Sequence, residues 1–211
     1  MAGKIIEIMG CAGVGKSSVA RRLLDKCDKI QSFTPSKRYS LKCWKYTMLR
    51  LPQIILSLLI GVRRHYIKSL IRIEAVISLL FQAKTLNHKA VFLIDQGPLS
   101  TLSYLYFKGL PNRFIEKWLT KLREKGTCVI DYVFWLNASN QVLIERLNKR
   151  KNGHKMENKS ESIVNQFYDT YRKCYSKVLN NEHIKIPYQC IDTNELSIDD
   201  VCTIILEHLK Y

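Results

Sequence analysis

Lys4-Ile5-Ile6-Glu7-Ile8-Met9-Gly10-Cys11-Ala12-Gly13-Val14-Gly15-Lys16-Ser17-Ser18 is the stretch that decides the fold. Its first six residues read as a short buried strand, and Lys16–Cys27 reads as a helix. Between them, Gly10, Gly15, Lys16 and Ser17 fill every fixed position of G-x-x-x-x-G-K-[ST]. Glycines allow positive φ and close approach of the backbone to a ligand. Backbone N–H groups of Gly10, Cys11, Ala12, Gly13, Val14 and Gly15 are therefore expected to converge on phosphate oxygens. The helix that follows adds the positive end of its dipole. Lys16 is expected to reach the β- and γ-phosphates of a nucleoside triphosphate, the Ser17 hydroxyl to ligate Mg²⁺, and Ser18 to bond a phosphate oxygen.

Outward from this loop, strands and helices alternate. Ala90–Asp95 (AVFLID) reads as a second buried strand and Asn112–Lys125 as an amphipathic helix capped by Gly126. A third strand lies within Cys128–Leu136, with Tyr132–Leu136 as its core. Asn140–Arg150 and Ile163–Leu179 read as helices and Gln189–Ile191 as a short strand. Ser197 is the expected N-cap of a final helix, because Asp199 and Asp200 follow it. Apolar strands alternating with helices predict an α/β fold around a parallel sheet. Ligands of such sheets sit at the carboxyl ends of the strands, here after Met9, Ile94 and Leu136. Neither a repeat nor a linker-like tract interrupts the chain, so residues 1–211 read as one domain.

The chain has 211 residues, 46% of them apolar, and a formal net charge of +16 from 34 Lys and Arg against 18 Asp and Glu. That excess favours an anionic partner without choosing one. Seven scattered cysteines without a C-x-x-C pair argue against a zinc site and a disulfide framework, and point to free thiols in a reducing cytosol. The Ile5–Met9 run is too short for a secretory segment. Leu51–Val62 falls well short of the roughly 20 residues that span a bilayer. The expected location is cytoplasmic, with peripheral attachment at a membrane left open.

A GTPase reading fails on its own motifs. Asn148-Lys149-Arg150-Lys151 has Lys where a guanine-reading N-K-x-D needs Asp, and Asp95-Gln96-Gly97-Pro98 has Pro where a D-x-x-G switch needs Gly. The layout instead resembles the thymidylate kinase and deoxynucleoside kinase group of P-loop kinases over nearly the whole chain. The shared features are the early phosphate loop, Asp95 ending a mid-chain strand, a helix carrying Arg146 and Arg150, and a basic segment at Lys151–Lys159. They continue with a helix bearing Tyr168, Tyr171 and Tyr175, and with Cys190-Ile191-Asp192-Thr193-Asn194 before the last helix.

This resemblance implies a three-layer P-loop NTPase domain with a five-stranded parallel sheet, nucleoside/nucleotide kinase-like. The implied activity is ATP-dependent transfer of the γ-phosphoryl group to a small acceptor. It implies that Asp95 holds the Mg²⁺ shell or takes the acceptor's proton, that residues 146–162 form a lid, and that the loop with Thr193 and Asn194 packs near the adenine. Arg146 and Arg150, four apart on one helical face, could supply positive charge around the transferring group. The family usually carries Arg after the acid. Here Gln96 stands in its place, and a neutral amide cannot clamp a phosphate as a guanidinium does.

Residues 36–89 hold eleven Lys or Arg and one acid, Glu74. Between Ile54 and Phe81 the apolar residues recur at helical spacing, with Arg64, Lys68 and Arg72 on another stripe. Three readings stay open: core-packing helices with a solvated basic face, a basic pocket for an acidic acceptor, and contact of residues 50–84 with an anionic membrane. Aromatics interleaved with the basic residues are few, which disfavours nucleic acid. The resemblance implies a nucleoside or nucleotide as acceptor, with a sugar or a lipid-linked acceptor as the alternative. A regulatory ATPase without an acceptor is the reading from another class, and homodimer formation is left open.

Overall fold

The computed structural model describes residues 3–33, 64–86, 90–124, 127–149, 160–182 and 184–209. Residues 36–63 and 87–89 of the basic segment, Arg150, Lys151–Lys159 of the lid-like segment and the Gly126 cap lie outside the described residues.

Strand β1 (Lys4–Gly10) carries Ile5, Ile6, Ile8 and Met9 with no more than 1% exposure, so both of its faces are covered. That is the environment a central strand of a parallel sheet requires. β1 leads into α1 (Lys16–Lys26), then β2 (Ile30–Ser32), α2 (Arg64–Leu86) and β3 (Val91–Asp95). Next come α3 (Pro98–Phe107), α4 (Asn112–Lys121), a short antiparallel pair β4 (Arg123–Glu124) and β5 (Thr127–Cys128), and β6 (Tyr132–Asn137). The chain continues through α5 (Asn140–Asn148), α6 (Glu161–Leu179), β7 (Tyr188–Asp192) and α7 (Ile198–Leu209).

The main sheet is parallel throughout, in the order β2-β3-β1-β6-β7. The chain fills one side of β1 first and the other side second, so the order reverses beside β1. Ile8 pairs with Asp95 and Gly10 with Leu136, which brings the carboxyl ends of β1, β3 and β6 to one edge. Such an edge, at a topological switch point, is where open α/β sheets bind ligands. The helices group as α1 with α7, and as α6 with α3 and its neighbours α2 and α4.

In α2 the apolar stripe points into the protein. Tyr66, Leu70, Ile73, Ile77 and Leu80 are all buried, and the Tyr66 hydroxyl donates to the Lys108 carbonyl. The core-packing part of that reading holds for these described apolar side chains of α2. No helix among the described residues is long and apolar enough to cross a membrane.

Several boundaries differ from the sequence expectation, most of them by one or two residues. Helix α4 ends at Lys121, not at residue 125, because Leu122 is fully buried and its carbonyl accepts from Val129 N at 2.7 Å. Arg123–Glu124 pairs antiparallel with Thr127–Cys128, so Cys128 belongs to β5, while β6 covers the expected core Tyr132–Leu136 of the third strand. Helix α5 ends at Asn148, with Lys149 as its C-cap. Strand β2, three residues at the sheet edge, is too short to show a period in sequence. Ser197 caps α7 as expected: its Oγ accepts from Asp200 N at 3.1 Å, while Ser197 N donates to the Asp200 carboxylate at 2.9 Å. The six described cysteines are free thiols.

Candidate active site

The phosphate loop is held from outside. Lys16 Nζ, 9% exposed, donates to the carbonyls of Gly10 at 2.8 Å and Cys11 at 3.0 Å. Tyr175 Oη donates to the Gly10 carbonyl at 2.8 Å, and Tyr168 Oη to the Ala12 carbonyl at 3.4 Å. In a trans peptide the N–H points opposite to the C=O. Fixing these carbonyls therefore aims the intervening N–H groups into the concavity of the loop. Gly10 has φ 149°, and a Cβ there would stand 2.4 Å from the Leu136 carbonyl oxygen, so only glycine fits between β1 and β6. Burial pushes the Cys11 thiol up to about 11, against the pull of the Arg172 and Lys16 charges, so it stays a neutral spacer.

Across the sheet edge, Ser17 Oγ donates to Asp95 Oδ2 at 2.5 Å. Asp95 Oδ1 is buried and has no hydrogen-bond partner among the described residues. A buried carboxylate oxygen without a protein partner calls for an explanation, and a bound cation or a catalytic role supplies one. Serine and carboxylate oxygens are hard donors of the kind Mg²⁺ takes when it keeps waters and phosphate oxygens for the rest of its shell. Among the described residues there is no cluster of three His, Cys, Asp or Glu side chains that could cage a metal. Directly after Asp95, Gln96 sits at φ 66°, a left-handed conformation that non-glycine residues seldom hold.

Two clefts flank this contact. One, of about 340 Å³, runs along Gly13–Gly15 and Ser18 to Arg146, Thr193 and Ile198. Arg146 forks onto Thr193, with Nη1 on Oγ1 at 3.1 Å and Nη2 on the carbonyl at 2.6 Å. Thr193 N and Oγ1 both donate to the Asn137 carbonyl, and Asn194 Oδ1 accepts from Ser139 N at 2.8 Å. The structure thus places Arg146 with Thr193 at the wall of this cleft. The second cleft, about 50 Å³, is lined by Phe33, Ile73, Val76, Asp95, Gln96 and Thr101 among others, and no Lys or Arg is among its described lining.

Sequence reasoning missed two side chains. Arg172, in α6, holds the end of β6: Nε donates to Asn137 Oδ1 at 2.9 Å, Nη1 to Asn140 Oδ1 at 2.6 Å and Nη2 to the Ala138 carbonyl at 2.5 Å. Its spacing from Tyr168 and Tyr175, four and three residues, puts all three on one helix face and was the available signal. Glu7 is fully buried in β1, and its carboxylate accepts from Leu99 N at 3.1 Å and Ser100 N at 2.8 Å. A lone acid inside an apolar strand was the signal there. Burial raises Glu7 to about 7, against those backbone hydrogen bonds, which favour the charged form.

The family profile described as "AAA domain" matches residues 6–166. A thymidylate kinase from Brachyspira hyodysenteriae is 27% identical over 185 residues, covering 81% of this chain and 84% of that protein. The solved thymidylate kinase from Candida albicans superposes with a TM-score of 0.64 at 18% identity, covering 99% of this chain and 92% of that one. A deoxyadenosine kinase from M. mycoides, solved with dCMP and dCDP, gives 0.60 at 17% identity and covers 98% of each chain. These likenesses agree with the observed strand order and phosphate loop. With the profile running over residues 6–166 of 211, the chain belongs to the AAA domain family, built on the P-loop fold of the nucleoside and nucleotide kinases.

Proposed function

We propose that the chain is an ATP-dependent kinase that transfers the γ-phosphoryl group to a nucleoside or nucleotide. The Ser17–Asp95 contact carries this reading, because it joins the phosphate loop to a second cleft at one point. The names of the related proteins support it. The larger cleft would take ATP, its triphosphate on the loop amides and Lys16, and its base between Arg146, Thr193 and Asn194. Arg146 then serves the nucleotide base more than the transferring phosphate. Ser18, which lines the same cleft, would bond a phosphate oxygen.

Ser17 and Asp95 would hold Mg²⁺, which when bound offsets the charge of the phosphates. The orphaned Asp95 Oδ1 would accept the proton of the attacking acceptor oxygen. That oxygen forms its bond to the γ-phosphorus as the bond to the β,γ-bridging oxygen breaks, and ADP leaves. Lys16 supplies positive charge on the transferring group, and little else is demanded of the protein. Gln96 in place of Arg offers hydrogen bonds to a hydroxyl or a base edge.

The test incubates the protein with ATP and Mg²⁺ against separate pools of nucleosides, nucleotides, sugars and lipid-linked acceptors. Phosphorylated product in a nucleoside or nucleotide pool is expected. Product only from the sugar or lipid pools would support the alternative acceptor. ATP hydrolysis indifferent to every pool would make the chain a regulatory ATPase.

A further inference from the structure

Glu7 takes no part in the chemistry above, yet it occupies the centre of the sheet. It pairs across β3 with Ile94, one residue before Asp95. Its carboxylate lies under the start of α3. Pro98 is the first residue of that helix and has no N–H, so Leu99 and Ser100 are its first donors, and both are bonded to Glu7. The N-cap position itself is Gly97, which has no side chain to cap with. A Cβ at Gly97 would stand 2.5 Å from Glu7 Oε2 and 2.6 Å from Cδ. The carboxylate thus fills the space a side chain at 97 would need, and caps the helix from a strand 92 residues away. The cap comes from beneath the turn, and the face formed by Asp95, Gln96 and Gly97 stays open to the second cleft.

Between Asp95 on β3 and this capped helix start lies Gln96 at φ 66°. A left-handed residue with a side chain persists only when its surroundings hold it. Here both flanks are fixed, one by the sheet and one by Glu7. We propose that Glu7 is a positioning residue for the acceptor side: by tying the start of α3 to the central strand, it holds the Asp95–Gln96–Gly97 turn in the form that faces the second cleft. This rests on the kinase reading. Glu7 touches neither nucleotide nor acceptor. Its effect is on acceptor use, not on ATP binding.

The experiment measures steady-state kinetics for the best acceptor, ATP affinity and thermal midpoint in wild type, Glu7→Gln, Glu7→Asp, Gly97→Ala and the double variant Glu7→Asp/Gly97→Ala. Gln keeps the size of Glu but turns an NH₂ towards N–H donors. The Gly97 backbone, at φ −78°, admits alanine, so its methyl acts through the carboxylate. Glu7→Gln and Gly97→Ala should each lower kcat/KM for the acceptor about 10–100-fold, the scale of an ångström-sized misplacement, with ATP affinity unchanged within about 3-fold. In the Glu7→Asp background, whose carboxylate is one methylene shorter, Gly97→Ala should cost at least about 5-fold less than in wild type. Additive effects of the two changes, or equal losses of acceptor and ATP parameters, would overturn the proposal. If Glu7→Gln does not fold, the Gly97→Ala and Glu7→Asp comparison carries the test alone. A wild type that phosphorylates no acceptor would instead defeat the kinase reading beneath it.

Discussion

Lys16 and Asp95 show at the scale of single residues how much a motif can say. The phosphate-loop pattern assigned Lys16 to a triphosphate, and the structure places its ammonium on the Gly10 and Cys11 carbonyls, at the rim of that loop. Lys16→Ala should abolish ATP binding and turnover, read by calorimetry and by phosphate transfer. Intact nucleotide affinity would refute the assignment. Arg146 was visible as a basic residue on a helix, but which cleft it served was not, because that depends on where β7 brings Thr193. Arg146→Ala should weaken ATP about 10-fold while leaving acceptor KM unchanged, as loss of a charge-assisted fork at the nucleotide cleft would do.

Glu7 makes a prediction about pH. Its folded value of about 7 lies above the ordinary 4.5. Between those values the folded chain holds a proton that the unfolded chain has released. Stability from this group is therefore fully present below pH 4.5 and is lost as pH rises through 7. At about 1.4 kcal/mol per unit, the loss is about 3 kcal/mol. Urea midpoints of wild type and Glu7→Gln, taken from pH 4.5 to 8, should diverge by that order, the variant lacking this fall. Parallel curves would show that Glu7 does not hold its proton in the folded state.

At the scale of elements, long periodic segments were legible and short or externally fixed ones were not. β1, β3, β6 and α6 announce themselves because burial on one or both sides imposes a pattern over many residues. β2 spans Ile30–Ser32 and cannot. The end of α4 was misplaced because Leu122 continues the helical period although its carbonyl is committed to Val129. A similar long-range tie joins three elements at Asp131. Its Oδ2 accepts from Ile5 N at 2.7 Å at the start of β1, and its Oδ1 meets Lys84 Nζ of α2 at 2.6 Å. Lys84 also donates to the Cys128 carbonyl. Asp131→Ala should cost about 2–3 kcal/mol, since it strips a partner from a mostly buried ammonium and a backbone N–H together. Denaturant unfolding checks this, and a change below about 0.5 kcal/mol would show the tie to be dispensable.

At the scale of the whole molecule, the sheet order and the register decide function. Parallel pairing of β1 with β3 and β6 brings Gly10, Asp95 and Asn137 to one edge, and α6 closes that edge with Tyr168, Arg172 and Tyr175. The motif implied the first of these placements and the family resemblance the second. The clasp by α6 required the fold, because its partners include the backbone carbonyls of Gly10, Ala12 and Ala138, which no sequence pattern records. Within residues 36–89, α2 turns its described apolar side chains into the core.

The central claim is that the phosphate loop and Asp95 act on one phosphoryl group between two clefts. Single-turnover transfer from γ-labelled ATP, followed in wild type and Asp95→Ala with nucleoside and nucleotide acceptors present, tests it directly. Label is expected on the acceptor in wild type, with at least about 100-fold slower transfer in Asp95→Ala and ATP still bound. Label appearing only as inorganic phosphate, at a rate that ignores both the acceptor and the substitution, would contradict it.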